Sequence, residues 1–199
     1  MRATLNINFR STLFLLLLAG PVFGELLDRI VVVIDNKFII TLSDIRKESA
    51  IQSALGSKPG TDDSLVESLI ERHLVEEQIA QFLEIEIPED LVEERVRSLG
   101  NPAGVSNQDL RAAVVGELRR RQFMIERFQQ FIRVSDEELQ QYYNEVFAPE
   151  VRRRGERLPP FEEVVEQIRR NKVAEKMNDE VGTWLMELKR RSTIEKIAD

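Results

Sequence analysis

The chain of 199 residues contains no cysteine and a single histidine, His73. Structural zinc sites use cysteine and histidine at paired spacings, and a nucleophilic triad needs a base beside its nucleophile. The composition therefore argues against zinc, a disulfide framework and triad catalysis. His73 falls beside the apolar stripe of a predicted helix, and we interpret it as an imidazole at the edge of a core.

The nine glycines form neither a G-x-G-x-x-G motif nor a Walker loop, so the sequence contains no recognisable phosphate cradle. The acidic residues match no EF-hand loop, and Asp62-Asp63 is interpreted as part of a helix start. We therefore expect no cofactor, no metal and no catalytic residue. A carboxylate pair for glycoside hydrolysis stays open, since any two of the 35 acidic side chains could meet in the fold.

Long apolar runs are also missing. The longest run, Leu13–Ala19, follows Arg2 and Arg10 and precedes the small-residue exit Val22-Phe23-Gly24. This pattern is typical of a secretory signal peptide, and the run is shorter than the ~20 residues of a spanning helix. We expect residues 1–24 to be cleaved near Gly24 on export, with a short N-terminal anchor as the alternative.

The net charge is −7, and it becomes more negative once Arg2 and Arg10 are removed. An acidic protein repels phosphate backbones, so the charge argues against a nucleic-acid partner.

Residues 25–147 are predicted to form a helical module that opens with a short hairpin. β-Branched residues 29–34, turn residues 35–37 and apolar residues 38–40 make up this hairpin. Helical periodicity and capping signals then predict four helices: 44–55 behind Thr41 or Ser43, 61–83, 88–99, and a long helix behind Ser106. The S-x-x-E capping box at Ser135 predicts one more helix.

Residues 148–160, with three prolines, are predicted to be a linker, and residues 161–199 a last long helix followed by a strand. Residues 193–197 alternate in polarity and are expected to pair with the N-terminal hairpin. The expected fold is mainly α: an irregular multi-helix bundle with a small antiparallel sheet made by the N-terminal hairpin and the C-terminal strand.

Three basic clusters are the clearest hints of an anionic partner: residues 119–121, 152–154 and 189–191. Acidic residues lie close to each cluster, so we interpret them mainly as solvated faces that balance nearby glutamates. Arg152-Arg153-Arg154 lies in the predicted linker and is the best candidate of the three for a binding patch.

Aromatic side chains are the best candidates for contacts with a polypeptide. Phe123 falls on a different side of its helix from Leu118 and Ile125. Exposed apolar surface surrounded by charge marks a peptide or protein site. Completion of the helical core is an equally good explanation for the whole set. The candidate client-binding residues are Phe123, Met124, Tyr142, Tyr143 and Phe147.

Four segments together resemble the SurA family of periplasmic chaperones. They are residues 28–36 with 40–44, residues 69–79, residues 134–143 and the terminal strand, in this order behind a signal peptide. The resemblance spans nearly the whole mature chain. It implies a helical module that holds unfolded outer-membrane proteins without ATP, with the end of the chain folding back on its beginning, and Met124 or Met186 as adaptable contacts.

In relatives of this family a parvulin-type prolyl isomerase domain follows the helical module, whereas only residues 148–160 intervene here. We therefore expect no isomerase activity, although a prolyl isomerase stays open as an alternative function. A second alternative is an envelope adaptor with a single fixed partner. No stable membrane insertion is expected, and a homodimer stays open.

Overall fold

The computed structural model describes residues 28–82, 85–100 and 102–197, and the predicted signal peptide lies outside them. The fold is mainly helical with a small antiparallel sheet, as predicted. Its main elements are β1 (Ile30–Ile34), β2 (Phe38–Thr41), α1 (Leu42–Ala54), α2 (Asp62–Phe82), α3 (Glu89–Leu99), α4 (Asn107–Phe128), α5 (Asp136–Tyr142), α6 (Ala148–Arg153), α7 (Phe161–Arg191) and β3 (Ile194–Lys196). A 3-10 turn, Gln129–Phe131, follows α4, and π-helical residues Tyr143–Phe147 join α5 to α6.

The sheet has the strand order β2-β1-β3, with both neighbours antiparallel to β1. Asp35 and Asn36 make the hairpin turn at positive φ, +49° and +55°, a conformation that these two residue types tolerate better than most. Val33 pairs with Ile39 on one side and with Glu195 on the other. The predicted pairing of the last strand with the N-terminal hairpin is therefore confirmed, and β1 is its partner.

Three helices begin at the capping residues that the sequence indicated. The Thr41 hydroxyl accepts a hydrogen bond from the N–H of Asp44, whose carboxylate accepts the Thr41 N–H at 2.8 Å. The same reciprocal box joins Ser135 and Glu138 at the start of α5, and Ser106 caps α4 through its hydroxyl. Each box satisfies N–H groups that have no partner inside the helix.

Three apolar clusters hold the described residues together. The sheet cluster lies between the sheet, α1 and α2, the central cluster between α2, α4 and α7, and the distal cluster between α5 and the first half of α7. Their most buried members include Ile34 and Ile70, then Ile79 and Phe123, then Leu139 and Ile168, respectively.

Glu48 is a charged side chain inside the α1–α2 contact, only 2% exposed. Arg72 of α2 pairs with it, and the Gln52 amide donates to it at 3.0 Å. A buried carboxylate needs such partners, because leaving it without them costs several kcal/mol, about 3–5 when one member of a buried pair is removed. This ion pair therefore fixes how α1 lies on α2.

The prediction of a linker over residues 148–160 is wrong for its first half. Residues 148–153 form α6, and Ala148 and Val151 are buried. Pro149 lies in the first turn of α6, a position where a missing backbone N–H is tolerated, and the π-helical turn Tyr143–Phe147 leads into that helix. Only residues 154–160 connect the helical segments without regular structure.

Two lysines bind the C-terminal segment to α2. Lys189 of α7 contacts Glu67 at 3.0 Å and Glu71 at 2.7 Å, and Lys196 of β3 contacts Glu67 at 2.9 Å. Hydrogen bonds from Lys196 and Lys189 lower the pKa of Glu67 below its usual value of 4.5. Glu67 therefore joins α2 to both α7 and β3.

This arrangement predicts an acid-sensitive contribution to stability. Because the folded pKa of Glu67 is lowered, its contribution is complete above the unfolded value of 4.5 and is lost as the pH falls through the folded value. We expect Glu67→Gln to make the urea midpoint fall less between about pH 7 and about pH 3 than it does in the unchanged chain. Glu93→Gln, on the exposed face of α3, is the matched control, and an equally steep fall in Glu67→Gln would contradict the prediction.

Candidate functional site

The C-terminal half of α4 lies between α3 and α7, and an open groove follows each of its flanks. The α7-side groove has a volume of about 680 Å³, and the α3-side groove has a volume of about 700 Å³. Both volumes fall within the ~300–1,000 Å³ of small-molecule and peptide pockets. Glu126 lines both grooves, so they meet along the outer surface of α4.

Phe131 is the most exposed aromatic side chain of the α7-side groove, at 72%. The regular helix ends at Phe128, and the tighter 3-10 turn that follows is closed by a hydrogen bond from the Ile132 N–H to the Gln129 carbonyl at 3.2 Å. Phe131 is the last residue of this turn and stays in solvent while Phe128 is buried.

The floor of the same groove is aromatic. Phe123 and Phe128 pack around Trp184 of α7. The centroid of the Trp184 ring lies 5.9 Å from that of Phe123 and 5.5 Å from that of Phe128. The Arg127 guanidinium lies over the Trp184 ring at 5.1 Å and over Phe128 at 5.5 Å. Cation–π contact of this kind is favourable when the cation is partly desolvated, and it holds Arg127 in place as a wall of the groove.

The α3-side groove is lined by aliphatic side chains. Leu118 and Ile125 come from α4, and Ile85 and Ile87 come from the segment before α3. Leu91, in the first turn of α3, is 47% exposed at this groove. Both grooves therefore combine an apolar lining with one large apolar side chain left in solvent.

Two of the five predicted client-binding residues, Phe123 and Met124, lie in the central cluster. Phe123 is 2% exposed, so completion of the core, the second of the two explanations given for the aromatic residues, is the one that holds for it: Trp184 of α7 covers its side of the helix. It forms the floor of the α7-side groove. Met124 is partly buried against the central cluster.

The other three, Tyr142, Tyr143 and Phe147, lie together in the distal cluster and are partly buried. The Tyr143 hydroxyl donates to the Pro159 carbonyl at 2.7 Å, and its ring lies 5.8 Å from that of Phe147 and 5.5 Å from that of Phe161. The five predicted client-binding residues therefore belong to two separate clusters and do not share one surface.

The basic cluster at residues 119–121 is partly neutralised, because two of its three arginines share one carboxylate. Arg119 and Arg120 both contact Glu76 of α2, at 2.6 and 2.8 Å. Arg121 is exposed beside the α3-side groove. The prediction that nearby glutamates balance these arginines is confirmed for the first two.

The cluster at residues 189–191 is neutralised as well. Arg190 and Arg191 contact Glu187 at 2.8 Å, and their hydrogen bonds lower the pKa of that carboxyl to about 2. In the third cluster, Arg152 and Arg153 are exposed, and no carboxylate within the described part of the chain pairs with them.

His73 stacks flat on Phe38 of β2, with ring centroids 3.7 Å apart, and its Nε2 lies 3.7 Å from a Glu77 carboxylate oxygen. These contacts give the imidazole a packing role at the surface of α2 and the sheet.

Sequence reasoning missed Leu91 and Phe131, the two exposed side chains of the grooves. A partial signal for Phe131 was present, because it is a large apolar residue that directly follows Gln129 and Gln130 beyond the end of α4. Leu91 carried no comparable signal, because an apolar residue in the first turn of an amphipathic helix is ordinarily a core residue.

The two phenylalanines of the α7-side groove are expected to differ sharply in their effect on stability. Phe123→Ala removes a buried ring and should lower the free energy of unfolding by about 3–5 kcal/mol. Phe131→Ala removes an exposed ring and should change it by less than about 0.5 kcal/mol. Urea denaturation followed by the helical circular dichroism measures both, and equal losses would contradict the placement of these side chains.

A scan against protein-family models found no match, and no curated protein matches the chain significantly. Within residues 28–82, 85–100 and 102–197, no helix is long and apolar enough to cross a membrane. The same residues hold no group of three or more acidic or histidine side chains placed to bind a metal ion.

Proposed function

We propose that this chain is an ATP-independent holdase of the periplasm, which binds unfolded polypeptides, outer-membrane proteins above all, in the manner of the SurA family. The observation that carries the proposal is the pair of open apolar grooves beside α4, with Phe131 72% and Leu91 47% exposed. Large apolar side chains kept in solvent beside a groove are typical of surfaces that bind peptides.

The lining of the grooves favours clients of varied sequence. Aliphatic and aromatic contact is non-directional, so any segment with apolar side chains gains from burial there. The polar side chains available on the same surface include Gln122 and Gln130, whose amides both donate and accept hydrogen bonds. A surface with these properties recognises the unfolded state more than one particular sequence.

Binding alone is sufficient for a holdase. A protein that binds the unfolded state lowers its free concentration by mass action, and aggregation slows accordingly, with no need for ATP. The net charge of −7 helps to keep the chaperone itself soluble while apolar side chains remain exposed.

The order of sequence motifs that resembles the SurA family supports the same proposal. The hairpin at residues 30–41, the capping box at Ser135 and the returning strand at residues 194–196 all occur in the fold. The signal-peptide pattern supports export to the periplasm. The resemblance to the SurA family supports outer-membrane proteins as the clients.

The test is light scattering of a denatured outer-membrane protein diluted into buffer with increasing amounts of the purified chain. We expect the chain to suppress aggregation, and Phe131→Ala to require at least about fivefold more protein for the same effect, the loss of about 1 kcal/mol that an interface aromatic typically provides. Ile197→Ala is the matched control, because it removes an apolar side chain that is 49% exposed after β3 and does not line either groove.

Failure of the unchanged chain to suppress aggregation would reject the holdase and favour an adaptor with one fixed partner, for which exposed Arg152 and Arg153 provide a surface. A prolyl-peptide isomerisation assay on the same preparation distinguishes the remaining alternative. Turnover there would identify an enzyme, and equal effects of Phe131→Ala and Ile197→Ala would place the client outside the grooves.

A further inference from the structure

The two grooves lie on opposite flanks of one helix, with a polar ridge between them. Successive residues of an α-helix are turned by about 100°, so Phe123 and Ile125, two residues apart, face about 200° apart. Phe123 lines the α7-side groove and Ile125 the α3-side groove. A polypeptide that enters one groove must cross the outer surface of α4 to reach the other.

The ridge consists of Gln122, Glu126 and Gln130, spaced four residues apart. Gln122 lines the α3-side groove, Gln130 the α7-side groove, and Glu126 both. The Gln122 amide donates to a Glu126 carboxylate oxygen at 2.8 Å, and no cationic side chain within the described residues pairs with Glu126. The crossing point therefore carries a negative charge with polar amides on either side.

We propose that one client segment in extended conformation occupies both grooves at once, with an apolar side chain in each and a lysine or arginine over Glu126. This inference rests on the proposed holdase function and specifies the class of segment that the site selects. Charge complementarity carries the basic position, and the exposed Phe131 and Leu91 mark where the two apolar side chains bind.

The diameter of the helix sets the spacing of the two apolar side chains. A helix with its side chains is about 10–12 Å across. A segment in polyproline II conformation rises about 3.1 Å per residue and returns to the same face every third residue. Two apolar residues three or four positions apart are then separated by about 9–12 Å, close to the width of the helix, and those three positions apart also point to the same side.

The neighbouring charges fit the same arrangement. Glu180 of α7 and Glu86, before α3, add negative charge at the two grooves. Arg127 is stacked on Trp184, and Arg121 lies five residues before Glu126, about 140° round the helix and away from the ridge. The charge nearest to a segment that crosses the ridge is therefore the Glu126 carboxylate.

The chain's single tryptophan makes the test direct, because Trp184 contacts Phe123 and Phe128 of the α7-side groove. Capped peptides with two leucines separated by one to about five residues, and with lysine or glutamate between them, are titrated against the fluorescence of the purified chain. We expect the tightest binding with two or three intervening residues, about tenfold tighter than a one-leucine peptide of equal length, because the second contact is intramolecular.

Glu126→Lys tests whether the Glu126 carboxylate selects peptides with a basic residue between the two leucines. In the unchanged chain the lysine peptide should bind about two- to fivefold more tightly than the glutamate peptide, as expected for an exposed ion pair. Glu126→Lys should reverse this preference, whereas the control Glu195→Lys, an equal change of charge on exposed β3, should leave it as it was.

Leu91→Ala should bring the affinity of the two-leucine peptide close to that of the one-leucine peptide. Affinity that does not depend on spacing, or a lysine preference that survives Glu126→Lys, would overturn this inference. If the chain still suppresses aggregation in that case, the holdase stands and only the two-groove mode is rejected. Absence of both peptide binding and aggregation suppression would reject the proposed function itself.

Discussion

The described fold depends on one long helix, α7, which contributes side chains to all three apolar clusters. Leu188 packs on the sheet cluster, Trp184 on the central cluster and Ile168 in the distal cluster. At 31 residues α7 is about 45 Å long, enough to reach every cluster as a single rod. Because β3 follows it immediately and pairs with β1, the last described elements complete a core that the first elements begin. The C-terminal helix and strand therefore cover apolar surface that the N-terminal segments leave open, through Leu188 and Ile194.

The grooves arise from the same arrangement. Helix α4 packs on α2 and α7 through Phe123, and α3 lies along another flank. Near its C-terminal end these neighbours leave the outer surface of α4 uncovered, and the 3-10 turn ending at Phe131 extends the apolar surface beyond the helix. Below the α7-side groove, the rings of Phe123, Phe128 and Trp184 pack against one another. An apolar side chain that enters this groove would therefore contact side chains that are already packed.

The sequence predicted the elements whose signals are local. Thr41, Ser106 and Ser135 cap helices because a hydroxyl can reach N–H groups three residues ahead, and that geometry needs no tertiary partner. The burial of Phe123 could not be predicted in this way, because helical periodicity gives the faces of a helix and not which neighbours cover them. Pro149 suggested a linker because proline disfavours a helix interior, but it lies in the first turn of α6, where proline is tolerated.

A holdase must bind a client tightly enough to outcompete aggregation and weakly enough to release it without an energy source. One deep pocket would bind the client tightly but release it slowly, because affinity differences between related complexes appear mostly in the dissociation rate. In the two-groove mode that we propose, two shallow sites on one helix would reconcile these needs. Each apolar contact would be weak, and their linkage through one client chain would raise the overall affinity without any new contact. A client that folds would withdraw the apolar residues that bridge the ridge, so that both contacts are lost together and folding itself drives the release.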